Sequence, residues 1–150
     1  MLAGKAGWLS QPIVTKAREA GARILDYVPD EDLAGLYSGA RAFVFPSLYE
    51  GFGFPLLEAM ACGAPVICSS TSSLPELAGQ AALLVDPTDV HALAEAITRI
   101  LSEPGLGAAL AEKGYAQVQK FSWARAAREA LAVLERTARA YRRPAGPAQQ

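Results

Sequence analysis

Phe45-Pro46-Ser47-Leu48-Tyr49-Glu50-Gly51-Phe52-Gly53-Phe54-Pro55-Leu56-Leu57-Glu58-Ala59-Met60-Ala61-Cys62-Gly63 reads as the end of a buried strand, a glycine loop and a short helix. The run that leads into it, Arg41-Ala42-Phe43-Val44-Phe45, is apolar and aromatic and is closed by a proline, as suits a strand covered on both faces of a parallel sheet. Pro55 fits the first helical turn, where a missing N–H costs nothing, and Gly63 fits the position just past the helix end. Between strand and helix lies a loop with two glycines, Gly51 and Gly53, flanked by two carboxylates, Glu50 and Glu58.

Glycine lets a backbone take positive φ and lets a ligand approach its amides, so Gly51 and Gly53 read as a cradle. The N–H groups of Phe54, Leu56 and Leu57 then face whatever sits above the helix start, where the dipole favours an anion such as phosphate. Carboxylates belong beside a phosphate only if they face hydroxyl groups, and hydrogen bonds to a charged group contribute roughly 1.5–3 kcal/mol each. A phosphate flanked by hydroxyls is the chemistry of a nucleotide sugar. Structural roles compete with this reading. Glu58 near a helix start gains about 0.3–1 kcal/mol from the dipole alone, and Ser47-Leu48-Tyr49-Glu50 has the spacing of a capping box. The box fails because Gly51, Gly53 and Pro55 would break the helix it needs.

The stretch resembles the donor-site motif of glycosyltransferase family 4, the group 1 retaining enzymes of the GT-B fold, in which two glutamates separated by seven residues bracket Gly-Phe-Gly and a helix. By position, the resemblance implies that Glu50 is the catalytic group at the transferred sugar. It gives the backbone of Gly51, Phe52, Gly53 and Phe54 to the sugar and diphosphate, and Glu58 to the ribose hydroxyls. The polar loop Ser70-Thr71-Ser72 follows the next strand, and the resemblance lets it reach the diphosphate or sugar, with Ser72 as its contact. Tyr27 and Val28 would lie close to the base. The donor expected is a nucleoside diphosphate sugar, the group transferred a hexose of mannose or glucose type, and the motif requires neither metal nor other cofactor.

The rest of the chain alternates strand and helix, which implies an α/β fold with a doubly wound parallel sheet and C-terminal helices. Met1 to Lys5 reads as the end of a strand, Leu9 to Ala20 as a helix stopped by Gly21, and Arg23 to Val28 as a strand. Asp30 to Ala40 reads as a helix with Asp30 as N-cap and an acidic first turn, so the triplet Asp30-Glu31-Asp32 is a cap rather than a metal site. Pro65 to Ser69 is a second buried strand, and Ser73-Leu74-Pro75-Glu76 a capping box that does precede a helix. Ala82 to Asp86 is a strand, and Pro87-Thr88-Asp89 opens a helix to about Ser102 whose first turn carries His91, a surface residue. Helices follow over Leu106 to Gln119 and from the Ser122 cap onward. In the last, Trp123, Ala127, Leu131, Leu134, Ala138 and Tyr141 make a packing stripe. Its basic faces read as solvated, with peripheral contact to anionic lipid as the alternative.

The resemblance covers residues 1 to about 141, a partial nucleotide-sugar-binding domain, and residues 142–150 read as a disordered tail. Against the family pattern, this sequence is expected to lack the first strand of the domain, its Arg/Lys diphosphate clamp and the acceptor-binding N-terminal domain. A saccharide or lipid-linked acceptor would meet that N-terminal domain, and the isolated chain is expected to be inactive. In the common strand order the loss falls between the strand ending near Ala3 and the strand at Arg41 to Phe45, leaving unpaired edges. Two other readings share the residues: a sugar-nucleotide epimerase of the same fold, and a non-catalytic nucleotide-binding remnant.

Composition narrows the classes further. The 150 residues are 51% hydrophobic, enough for one core, and the formal net charge of −1 recruits neither nucleic acid nor an anionic surface. Charge is uneven, with six Arg against two Glu over residues 121–150 and eight basic against thirteen acidic residues before them. Cys62 and Cys68 form no disulfide or metal pattern, which points to a reduced compartment. These residues read as containing neither a signal peptide nor a spanning run, so the expected location is cytoplasmic, with the inner face of the membrane as a variant.

Overall fold

A computed structural model describes residues 1–8 and 10–141. Leu9, where the first helix is expected to begin, and the 142–150 tail lie outside the described residues. The element order is β1 (Leu2–Ala3), α1 (Gln11–Glu19), β2 (Ile24–Leu25), α2 (Asp30–Ser38), β3 (Phe43–Phe45), α3 (Phe54–Ala61), β4 (Val66–Ser69), α4 (Leu74–Ala78), β5 (Ala82–Val85), α5 (Val90–Ser102), α6 (Leu106–Val118) and α7 (Trp123–Ala140). Among the described residues all strand pairing is parallel, in two separate sheets, β1–β2 and β3–β4–β5. This is the expected α/β class, with a helix after each strand.

The three-stranded sheet carries the core. Its alternate residues point to opposite faces. Phe43, Phe45, Val66 and Cys68 join α3 and α4 through Leu56, Ala59, Met60, Leu74 and Leu77. Val44, Ile67 and Leu83 face α5 and α6 through Ala96, Ile100 and Leu110. Helices thus cover both faces of β4, whose four residues are all buried. Full burial of a side chain such as Leu56 contributes about 1.5–3 kcal/mol. The α3 helix is the hub, set against β3 and β4 and packed so closely on α6 that a Cβ at Gly114 would lie 3.3 Å from Met60 Cβ.

Several boundaries differ from the sequence reading. The strand expected over Arg23 to Val28 is only Ile24–Leu25, because its partner leaves at Gly4, whose N–H closes the ladder on Leu25 O and Asp26 O. Asp30 is the first helical residue of α2 rather than its cap. Pro29 holds the N-cap position in extended backbone, with no side-chain cap, and the three acidic residues sit in the first turn. Asp89 and Ser122 do cap, accepting from His91 N and Ala92 N and from Arg125 N respectively. The capping box at Ser73 is absent, since no side chain caps the start of α4. The largest departure is α7. Its expected packing stripe has no buried residue, with Trp123 80% and Leu134 67% exposed.

Candidate functional site

The loop between β3 and α3 begins at the C-terminal edge of the sheet, where open α/β folds place ligands. Gly53 is the N-cap of α3 at φ +115°, and a Cβ there would sit 2.7 Å from Leu74 Cδ2. Both conformation and space therefore demand glycine. Gly51 differs, having neither positive φ nor any atom within 4 Å of a notional Cβ. The expected cradle thus owes its backbone shape to Gly53, while Gly51 leaves open space. Of the three amides expected to face a ligand, Leu56 N–H is taken, bonding Gly53 O at 3.1 Å. Phe54, as the first helical residue, has an N–H without an intrahelical partner.

Glu50 is half-buried at the loop's start, and Glu58 is exposed on α3. The phenol of Tyr37, on α2, donates to Glu58 Oε2 at 3.2 Å. Burial first, and the Glu58 charge second, push the Tyr37 pKa up to about 12, so it remains a neutral donor across the physiological range. The preceding residues of the same helix, Gly35 and Leu36, line a groove with Ile24 to Pro29 and Asp32. Tyr27 and Val28 lie in that groove, and Lys5 Nζ stands 5.7 Å from the Tyr27 ring centroid. The α2 helix thereby borders the residues expected near the base and also steadies the carboxylate expected at the ribose.

Ser72 lies against the Glu50 loop. Its Oγ accepts from Glu50 N at 2.9 Å and donates to Glu50 O at 2.6 Å. Ser73, expected as a helix cap, turns its hydroxyl to the same loop, reaching Phe52 O at 2.5 Å and Glu50 O at 3.1 Å. Thr71 Oγ1 donates to Leu48 O at 3.1 Å. Sequence reasoning missed the parts played by Tyr37 and Ser73, and named Thr71 only within the polar loop. The polar run Ser70 to Ser73 was a visible signal, but its partners lie more than twenty residues upstream.

Beside this loop Phe52 and Phe54 pack with centroids 4.7 Å apart, and Phe54 meets Trp123 at 6.1 Å. The start of α7 is thereby attached to the site. His91 is exposed, as expected of a surface residue. Among the described residues, no group of three or more His, Cys, Asp or Glu side chains is arranged to hold a metal ion. Nor is any described helix long and apolar enough to cross a membrane.

The family model described as glycosyl transferases group 1 matches residues 8–117, a span that contains both glutamates, Gly53 and the 71–73 loop. The chain belongs to the group 1 glycosyl transferases. Among the relatives it matches, O-antigen chain mannosyltransferase B of Escherichia coli is 48% identical over 127 residues, which cover 82% of this chain and 33% of that protein. MMP alpha-(1->4)-mannosyltransferase of Mycolicibacterium hassiacum is 40% identical over 111 residues, covering 71% of this chain and 27% of that protein. The chain thus spans about a third or less of the curated relatives it matches. Among solved structures, sucrose-phosphate synthase from Thermosynechococcus elongatus superposes with a TM-score of 0.79 at 33% identity, over 93% of this chain and 38% of that one. The Anabaena protein HepE, solved with UDP and glucose, gives a TM-score of 0.76 at 23% identity over 89% of this chain and 39% of that one. This second likeness concerns the fold alone.

Proposed function

We propose that this chain is the donor-binding part of a retaining glycosyltransferase, which moves a hexose of mannose or glucose type from a nucleoside diphosphate sugar to a saccharide or lipid-linked acceptor. One observation carries the reading: Glu50 precedes and Glu58 follows Gly53, the positive-φ N-cap that starts α3 on the ligand edge of the sheet. Named mannosyltransferases among the relatives favour mannose.

The helix start, with the Phe54 amide, takes the negative charge of the diphosphate. The backbone of Gly51 to Gly53 and of Ser72 borders sugar and diphosphate. Glu58, steadied by Tyr37, accepts from the ribose hydroxyls, and the groove at Tyr27 and Val28 receives the base. Glu50 accepts from the hexose hydroxyls and offsets positive charge as the bond from the anomeric carbon to the diphosphate oxygen breaks. The acceptor oxygen bonds that carbon on the same face, and its proton leaves with the diphosphate or to solvent. No metal or other cofactor enters this scheme. The reaction is placed in the cytoplasm, with the basic faces of α7 available to an anionic membrane surface.

Calorimetry with UDP-glucose and GDP-mannose, each against its free nucleoside diphosphate, tests the reading. Glu58→Ala is expected to weaken nucleotide and nucleotide sugar alike, by roughly tenfold or more for a lost charged contact. Glu50→Gln spares nucleotide binding and, where transfer is measured, depresses turnover by about a hundredfold or more, as removal of a transition-state stabiliser does. Unchanged binding in Glu58→Ala, together with unchanged turnover in Glu50→Gln, would overturn the assignment. Release of a free epimer without an acceptor would redirect it to an epimerase.

A further inference from the structure

Three consecutive hydroxyl residues, Thr71, Ser72 and Ser73, bond the carbonyls of three alternate loop residues, Leu48, Glu50 and Phe52. The register of the two loops is therefore set hydroxyl by hydroxyl. At its centre Ser72 engages both backbone groups of one residue, the N–H and the C=O of Glu50. Ser72 is also the one non-glycine residue with positive φ among those described, at 62°. Outside glycine such a conformation is disfavoured and persists only where surrounding contacts hold it. Here those contacts are the bonds to Glu50.

We propose that Ser72, seconded by Ser73, is a positioning residue that fixes the backbone of Glu50 and so aims its carboxylate at the transferred hexose. A serine hydroxyl has one proton. Ser72 spends that proton on Glu50 O and uses a lone pair for Glu50 N–H, so the hydroxyl has no donor left for a phosphate. Any contact of Ser72 with the diphosphate runs through its backbone, and its side chain acts only through Glu50. This inference rests on the nucleotide-sugar reading above and assigns the Ser72 side chain a role apart from ligand contact.

The two roles separate by ligand. A group that aims Glu50 matters to a nucleoside diphosphate sugar, which carries the hexose, and not to the nucleoside diphosphate, which lacks it. A group that binds phosphate matters equally to both. Titrations of the chain with UDP, UDP-glucose, GDP and GDP-mannose are compared for wild type, Ser72→Ala and Ser72→Gly; glycine removes the hydroxyl and also relieves the positive φ, which keeps the test open if alanine fails to fold. The expected result is a loss of nucleotide-sugar affinity about tenfold larger than any loss of nucleoside diphosphate affinity. In a Glu50→Ala background the Ser72 substitution adds no further loss, as coupled groups require. Hydrogen exchange at the Glu50 amide, measured without ligand, is expected to quicken in both Ser72 variants. Equal losses for both ligands, or no loss for either, overturn the positioning role and leave the nucleotide-sugar site standing. A wild-type chain that binds none of the four overturns the site and the positioning role with it.

Discussion

Gly53 and Gly51 stand two residues apart and carry different constraints. At Gly53 an alanine would meet Leu74 at 2.7 Å while held at φ +115°. Gly53→Ala is expected to destabilise by about 2 kcal/mol or more, and Gly51→Ala by no more than ~0.5 kcal/mol. Urea unfolding of the two variants checks this, and equal shifts would contradict it. The cysteines divide the same way. Cys68 is fully buried on β4, and burial pushes its thiol pKa up to about 12, whereas Cys62 is partly accessible at the end of α3. A thiol reagent near neutral pH should label Cys62 in the folded chain and reach Cys68 only after unfolding, since the thiolate is the reacting species. Native labelling of Cys68 would place it outside the core. Sequence alone could say that neither cysteine belongs to a disulfide or metal pattern. It could not rank their exposure, because that depends on which face of β4 is covered.

At the scale of the element, α5 and α7 are both capped, yet only α5 is packed. Asp89 accepts from two backbone N–H groups at 2.9 Å, so Asp89→Ala should cost about 1 kcal/mol. Asp89→Asn, which keeps the acceptor, should recover most of it in the same unfolding assay. For α7 the sequence pattern promised a buried stripe, and the described structure leaves that stripe in solvent, because periodicity reports that a helix is amphipathic and not what covers its apolar face. Leu131→Ala is accordingly expected to change stability by less than ~0.5 kcal/mol, whereas Leu110→Ala, in the core beside α5, should cost about 2–5 kcal/mol. A cost above 2 kcal/mol for Leu131→Ala would mean that α7 is packed. Thermal melts of both variants decide it.

The molecule as a whole carries a pH dependence on its alkaline side. Tyr37 and Cys68 both have folded pKa values raised to about 12, from ordinary values of 10.0 and 9.0. Below those ordinary values both groups are protonated in folded and unfolded chains alike, and their contribution to stability is fully present. As pH rises towards about 12 the unfolded chain ionises first, and that contribution is lost. Melting temperature should therefore fall from pH 9 to about 12, with a shallower slope in Cys68→Ala and in Tyr37→Phe. An unchanged slope in both variants would remove these groups as its cause.

Most of the architecture was legible because it is written in local chemistry. Alternating apolar runs, Pro55 inside a helix start, Gly63 beyond its end and Asp89 before α5 each constrain φ, ψ or a backbone donor within a few residues. The spacing of Glu50, Gly53 and Glu58 around one strand–loop–helix unit is local in the same sense, and so the candidate site could be read from it. What the tertiary structure alone decided is how distant segments share hydroxyl protons and lone pairs. Ser73 forgoes its helix cap for carbonyls more than twenty residues upstream, Ser72 clasps Glu50, and Tyr37 crosses from α2 to Glu58. A serine or tyrosine hydroxyl bonds equally well to any partner in reach. Its choice follows from which chain segments the folded core brings together, and no pattern along the sequence carries that.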